Sequence, residues 1–235
     1  IVEYEILEPV IDADFAISGN APVIHTGGNI TRHVPIIFGT QNLTADIVVK
    51  GEYEVGMQDQ APLGPESGLA IPAEDGGIDL YLSTQWLHVD RGQLATVLGL
   101  PPEKVRLTLA GVGGAFGARE DLSMQAHVSL LAMATGKPVK IVYSREESFF
   151  GHVHRHPGKL RYEHGVTKEG KLVYVKANIV LDGGAYASSS PAVCANAACF
   201  AVGPYEVESA TIDAYVAYTN NPPCGAMRGF GAVPH

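Results

Sequence analysis

The sequence predicts an α+β fold of mixed sheets with a few helices, and three observations lead to it. Apolar and polar residues alternate over short runs such as 45–55 and 78–84, which is the period of half-buried strands. The period lengthens to a helical one after Thr84 and again after Asp121. Strands and helices do not follow one another in the steady βαβ order that a doubly wound sheet requires.

Residues 1–44 carry Gly19, Pro22, Gly27 and Gly28 and read as an extended N-terminal arm packed on the rest, with 45–235 as the α+β body. The first strand, 45–55, ends near Gly56, and the second spans 78–84. Leu87, Leu94, Val97 and Leu98 then share a helical face that Gly99, Pro101 and Pro102 close. Gln85 therefore stands between a strand and a helix. Residues 106–114 begin as a strand and run into glycines, after which Leu122, Ala126, Leu130 and Met133 mark a helix ended by Gly136 and Pro138. Glu120 and Asp121 are placed in its first turn, where the helix dipole favours negative charge. High β-propensity marks 138–145 as a strand, and 160–166 with 172–181 as a hairpin around Lys168, Glu169 and Gly170. Residues 183–203 hold too few large apolar groups for an element to be assigned, and 210–219 resume as a strand.

Composition narrows the function classes. Sixteen Lys and Arg against 25 Asp and Glu give a net charge of -9, a repelling field for nucleic acid. No apolar run approaches the ~18 residues of a membrane span, and the opening IVEYEILEPV lacks the basic flank of a signal peptide. Three cysteines, Cys194, Cys199 and Cys224, fit reduced thiols and a cytoplasmic setting, each as a small buried hydrophobe, better than a disulfide framework. The chain starts at Ile1 and stops within a glycine-rich stretch, RGFGAVPH, so it is expected to be a piece of something longer.

The strongest local signal is GVGGAFGARED, 111–121, between a strand and a helix. Successive glycines let backbone approach a ligand closely, and N–H groups at the following helix suit an oxyanion. Nucleotide motifs fail here: GxGxxG would need glycine where Phe116 stands, and the Gly-Lys-Ser/Thr of a phosphate loop is missing. A second glycine-rich stretch, NNPPCGAMRGFGA at 220–232, sets Arg228 among small residues, where its donors could meet an anion or a cofactor carbonyl.

These motifs resemble a family. STQW at 83–86, the GGAFGARED loop, RHP at 155–157, GPY at 203–205 and NNPPCGAMRGFGA occur in the order and approximate spacing of the molybdenum-binding large subunits of the xanthine dehydrogenase and aldehyde oxidase family, closest to the bacterial type. The resemblance covers nearly the whole chain. It implies the first molybdenum cofactor-binding domain of a molybdenum hydroxylase, which hydroxylates a carbon of an aza-heterocycle or aldehyde with oxygen drawn from water. Gln85 would match the glutamine that hydrogen-bonds an oxo ligand of molybdenum. Phe116 and Gly117 would match the loop whose backbone lies against the metal, with the ring of Phe116 shaping the substrate pocket. Glu120 would match the substrate-orienting carboxylate, and Arg228 the arginine that helps to hold the pyranopterin. No side chain bonds the metal directly in this family, which also includes selenium-containing members.

Aligned on GPY, the position where xanthine oxidases place a substrate-binding arginine is Asn196, which argues against purine specificity. Gly64 stands where many relatives carry an acidic residue, again implying a less charged pocket. The resemblance places the general base in the C-terminal remainder of the subunit, and electrons would drain to Fe–S and FAD subunits or domains. The isolated chain is accordingly expected to lack the cofactor and to be inactive.

Other constellations read differently. His152, His154 and His156 alternate, so on an extended segment they would point one way and could chelate a transition metal, although RHP accounts for part of the run. Asp182-Gly183-Gly184 reads as a turn after a strand. Two further readings stand beside the hydroxylase: a noncatalytic assembly or interaction domain with the same fold, and an anion-binding enzyme that uses the 111–117 loop for phosphate.

Overall fold

The computed structural model describes residues 2–232. The chain divides into two compact units, one built from residues up to Gln58, Arg155–Gly225 and the segment from Gly229, the other from Asp59–His154 with Ala226–Arg228. Both combine a mixed sheet with helices, giving the α+β class.

The first unit holds α1 (Ala13–Ile17), β1 (Ile30–Gly39), β2 (Ile47–Val55), β7 (Gly158–Val166), β8 (Leu172–Asp182), α5 (Ser190–Phe200) and β9 (Ser209–Ala217). Its five strands lie in the order β1-β9-β8-β7-β2, with β8 and β9 parallel and the other pairs antiparallel. The parallel pair needs a crossover, and α5 supplies it. β8 is central and buried along nearly its whole length, so it reads as an apolar run, Val173 to Leu181, interrupted by Lys176 and Asn178. Val193, Cys194, Ala197 and Ala198 of α5 pack on Leu160, Ile179, Leu181 and Ile212. On a second cluster Val10, Ala13 and Ala16 cover Val180 and Ala217.

Two sequence expectations change in this unit. The first 44 residues are more than an extended arm: Asp12 caps α1 by accepting the Phe15 N–H at 2.8 Å, and β1 pairs with β9 at the sheet edge. An edge tolerates Pro35, which has no N–H to donate. Residues 183–203, left without an element, contain α5; its small residues are good helix formers and bring the helix close to the sheet. Cys194 and Cys224 are buried as expected, whereas Cys199 is exposed.

The second unit holds β3 (Ser67–Pro72), β4 (Ile78–Leu82), α2 (Leu87–Leu98), β5 (Val105–Leu109), α3 (Gln125–Thr135), β6 (Val139–Val142) and α4 (Arg145–Phe150). Its sheet order is β5-β4-β3-β6, with β4 and β5 parallel across the α2 crossover. Leu94 and Ala95 of α2 and Val128 and Ala132 of α3 bury Ala70, Ile78, Leu80 and Leu82. α3 begins at Gln125, so Glu120 and Asp121 lie in the turns before the helix and outside its first turn. The strand at 138–145 stops at Val142 because Ser144 opens α4 with a capping box: Glu147 N–H donates to Ser144 Oγ at 3.1 Å, and Ser144 N–H to Glu147 Oε2 at 2.7 Å. Among the described residues no helix is long and apolar enough to cross a membrane.

Candidate functional site

The parallel pair β4–β5 ends on one side of the second unit's sheet, and the chain leaves each strand into a loop: Ser83–Gln85 after β4, and 110–124 after β5. Loops beyond the carboxyl ends of parallel strands are where such folds assemble sites. The two are sewn together by backbone, with Gln85 N–H donating to Arg119 O at 2.9 Å and Ala110 N–H to Leu82 O at 2.7 Å.

Gln85 is the organising side chain. Its Oε1 accepts from Gly117 N–H at 2.9 Å and from Arg119 N–H at 3.4 Å, which fixes the orientation of the amide. Nε2 is thereby the donor side of the amide, and it donates to Glu120 Oε1 at 3.4 Å. Burial pushes the Glu120 carboxyl above its usual range and neighbouring Asp121 adds to the effect. That is the opposite of stabilisation by a helix dipole, because the helix starts five residues later.

The loop itself is tightly determined. Phe116 adopts φ 55°, a left-handed conformation that costs an aromatic residue roughly 1–3 kcal/mol and survives only where neighbours enforce it. They do so on both sides: Phe116 O accepts from Arg228 N–H at 2.8 Å, and Gly117, at φ 103°, lies so close to Ala226 that a Cβ would collide with that residue's carbonyl. The Phe116 ring is half exposed. Thus Gln85, the Phe116–Gly117 peptide, Glu120 and the backbone of Arg228 come together, and the Arg228 side chain is exposed. Asn196 belongs to the first unit, where its Nδ2 donates to Phe230 O at 3.1 Å and fastens the RGFG segment to α5.

Arg119 was not singled out in the sequence, yet it holds the loop from behind. Its buried guanidinium donates to Ser83 Oγ and Gly114 O, both at 3.2 Å, to Pro65 O at 3.2 Å and to Gly64 O. All four acceptors are neutral, so these contacts leave the cation's charge uncompensated beneath the loop. The signal was the one cation within GGAFGARED. Below Gln85, Asp90 is fully buried and accepts from Gln125 Nε2 at 3.3 Å; burial raises its carboxyl, with Thr84 and Gln125 working against the rise.

The residues suit an anionic ligand with oxygen acceptors. Gln85 offers an oriented amide donor, Arg119 a buried positive charge, and Gly111 and Gly113 open space where a Cβ would touch nothing within 4 Å. None of this is a metal-ligand set, so a metal held here would have to bring its own donor atoms.

Comparison with known proteins gives a consistent picture. The model of the molybdopterin cofactor-binding domain family matches residues 39–235. The nicotinate dehydrogenase large molybdopterin subunit of Eubacterium barkeri is 40% identical over 98% of this chain and 55% of its own length. A probable xanthine dehydrogenase subunit of Bacillus subtilis is 36% identical over 98% of this chain and 31% of its own. Among solved structures, the aldehyde oxidoreductase from Desulfovibrio gigas superimposes with a TM-score of 0.88 at 26% identity, covering 97% of this chain and 26% of that one. The chain thus spans about half of the first curated relative and about a third of the second.

Proposed function

From the premise that the chain belongs to the molybdopterin cofactor-binding domain family of molybdenum hydroxylases, we propose that its Gln85–Gly117–Arg228 loop cluster holds part of the molybdenum cofactor in a larger oxidoreductase. The observation that carries this reading is the Gln85 amide, whose oxygen is committed to the loop while its NH₂ donates one N–H to Glu120 Oε1 and has a second to offer a ligand oxygen. The cofactor, when bound, supplies two-electron oxidation of a C–H carbon with oxygen drawn from water; the protein supplies binding and orientation.

Gln85 Nε2 donates to an oxygen of the bound group. The Phe116–Gly117 peptide sets how near the group can come, and the Phe116 ring forms a wall for a flat substrate. Arg228 offers its fork of donors to the pterin. Glu120, whose carboxyl burial pushes above its usual range, orients the substrate from beside the Gln85 amide. The base that drives the reaction, and the Fe–S and FAD partners that accept electrons, belong to the remainder of the subunit and to other chains or domains. We place the substrate among aza-heterocycles because the 40% identical relative is a nicotinate dehydrogenase.

The test uses the whole protein. Glu120→Gln should lower turnover or raise KM on an aza-heterocycle while molybdenum content stays near wild type, and Gln85→Ala should lower both turnover and molybdenum retention. A protein that carries no molybdenum when made in a cofactor-producing host would overturn the reading, as would turnover unmoved by both substitutions.

A further inference from the structure

The three histidines that alternate through HVHRH do not share one environment. His156 is buried in the first unit with its Nε2 2.7 Å from Ser190 Oγ, whereas His152 and His154 belong to the second unit and face the same carboxylate. Asp59 Oδ2 lies 3.0 Å from His152 Nε2 and 3.0 Å from His154 Nε2, and one donor atom from each of the three residues falls within 4.8 Å of the others. The two imidazoles stack at 5.1 Å with 21° between planes, which presents their edges in one direction. At 3.0 Å the His152 ring nitrogen and Asp59 Oδ2 are close enough to hydrogen-bond, yet the contact lacks the alignment of a hydrogen bond. The buried His152 Nε2 and Asp59 Oδ2 thus have no hydrogen-bond partner among the described residues, although they lie side by side.

His154 Nε2 donates to Phe149 O at 2.9 Å, and an ion bound at that nitrogen would take the place of this proton. Two further features suit an ion there. Behind His152, the almost fully buried Glu66 stands 3.4 Å from Nδ1. A carboxylate on the far nitrogen is the usual support of a metal-bound imidazole, since it fixes the tautomer and leaves Nε2 free to ligate. Asp59, the most exposed of the group at 18%, is the way in.

We propose that Asp59, His152 and His154, with Glu66 behind His152, form a site for a divalent transition-metal ion separate from the Gln85 loop. Two nitrogens with oxygens suit Zn²⁺, Ni²⁺ or Co²⁺ over Mg²⁺ or Ca²⁺, which take oxygen ligands. The proposal does not depend on the reading of the Gln85 cluster. The competing account is metal-free: His152 bridging the two carboxylates by itself.

The test is calorimetric titration of the chelator-treated full chain with ZnCl₂ and, separately, MgCl₂. One equivalent of Zn²⁺ should bind with micromolar or tighter Kd, and Mg²⁺ should not compete. Asp59→Asn keeps the shape of the side chain, and His154→Gln keeps a polar group; each should weaken Zn²⁺ at least tenfold. Far-UV circular dichroism and the urea midpoint without metal check that each variant is folded. Should either variant fail to fold, X-ray absorption of the Zn²⁺ or Co²⁺ complex of the wild-type chain decides: two imidazoles and oxygens in the first shell support the site. No saturable binding, binding unchanged in folded variants, or a first shell without two imidazoles overturns it in favour of the metal-free bridge.

Discussion

Replacing Gly117 with alanine tests the loop architecture at the point where two backbones meet. The added methyl would fall inside contact distance of Ala226 O and 2.9 Å from Met227 Cα, and backbone atoms cannot rotate aside as a side chain can. The residue would also hold φ 103°, outside the range that L side chains adopt readily. Left-handed strain costs about 1–2 kcal/mol and overpacking about 1–3 kcal/mol. If the loop yields, the Gln85–Gly117 and Phe116–Arg228 hydrogen bonds are lost at about 1 kcal/mol each. We expect a loss of about 3–5 kcal/mol, a large part of the 5–15 kcal/mol typical of a folded domain. Urea unfolding followed by fluorescence of Trp86, the sequence's single tryptophan and the neighbour of Gln85, measures it. Gly113→Ala is the control: a Cβ there meets nothing within 4 Å, so the change should stay within about 0.5 kcal/mol. Equal effects at the two glycines would refute the close approach of residues 117 and 226.

Other expectations follow from the same geometry. Arg119→Lys keeps the charge but loses the fork that reaches four acceptors, and should cost about 2–3 kcal/mol with faster proteolysis within 111–124; an unchanged urea midpoint and digestion pattern would count against its clamp role. Because burial raises the Asp90 carboxyl above its usual 3.8, the folded chain binds that proton at higher pH than the unfolded one. Stability contributed by Asp90 is therefore greatest below 3.8 and is lost as pH climbs through the raised value, and Asp90→Asn should flatten that part of a stability–pH profile measured by urea midpoints. The whole protein should prefer an aza-heterocycle other than xanthine; steady-state kinetics with xanthine as best substrate, unmoved by Asn196→Ala, would contradict this. The 235-residue chain made alone in a cofactor-producing host should contain no stoichiometric molybdenum by elemental analysis and show no dye-linked oxidation of aldehydes or purines.

What the sequence revealed depended on whether the deciding signal was local. Helix α2 could be read from the spacing of Leu87, Leu94 and Leu98 and from Gly99 behind them, because amphipathic period and C-cap chemistry lie within one window. Gln85 and the glycine loop were visible as residues at element ends. Helix α5 was not, because its buried face is Ala and Cys, and small residues become core only when a sheet is pressed against them. Strand β1 was hidden among glycines and prolines, and its pairing with β9 lies almost the length of the chain away. The start of α3 was set too early since the acidic pair in GARED imitates a first helical turn; the Gln85 carbonyl instead captures the N–H groups of Gly117 and Arg119 and holds the segment in turns. Ser144 with Glu147 three residues on was a readable capping box that the run of β-formers before it concealed.

The discontinuous layout has a consequence for synthesis on the ribosome. Strand β2 finds its partner only when β7 has emerged, roughly a hundred residues later, and β1 must wait longer still for β9. At about 5–20 residues per second, β2 spends several seconds or more as a nascent segment whose backbone N–H and C=O groups lack their β7 partners. Meanwhile nearly all of the second unit, Asp59–His154, has been made and can close around its own sheet before the first unit can. The order of birth thus hands the loop that carries Gln85 and Gly117 a finished platform early, but withholds Ala226–Arg228 until much later. The last stitch of the site is therefore translated about a hundred residues after the loop it closes, and any agent that captures unpaired β-strands has its best opportunity at β1 and β2.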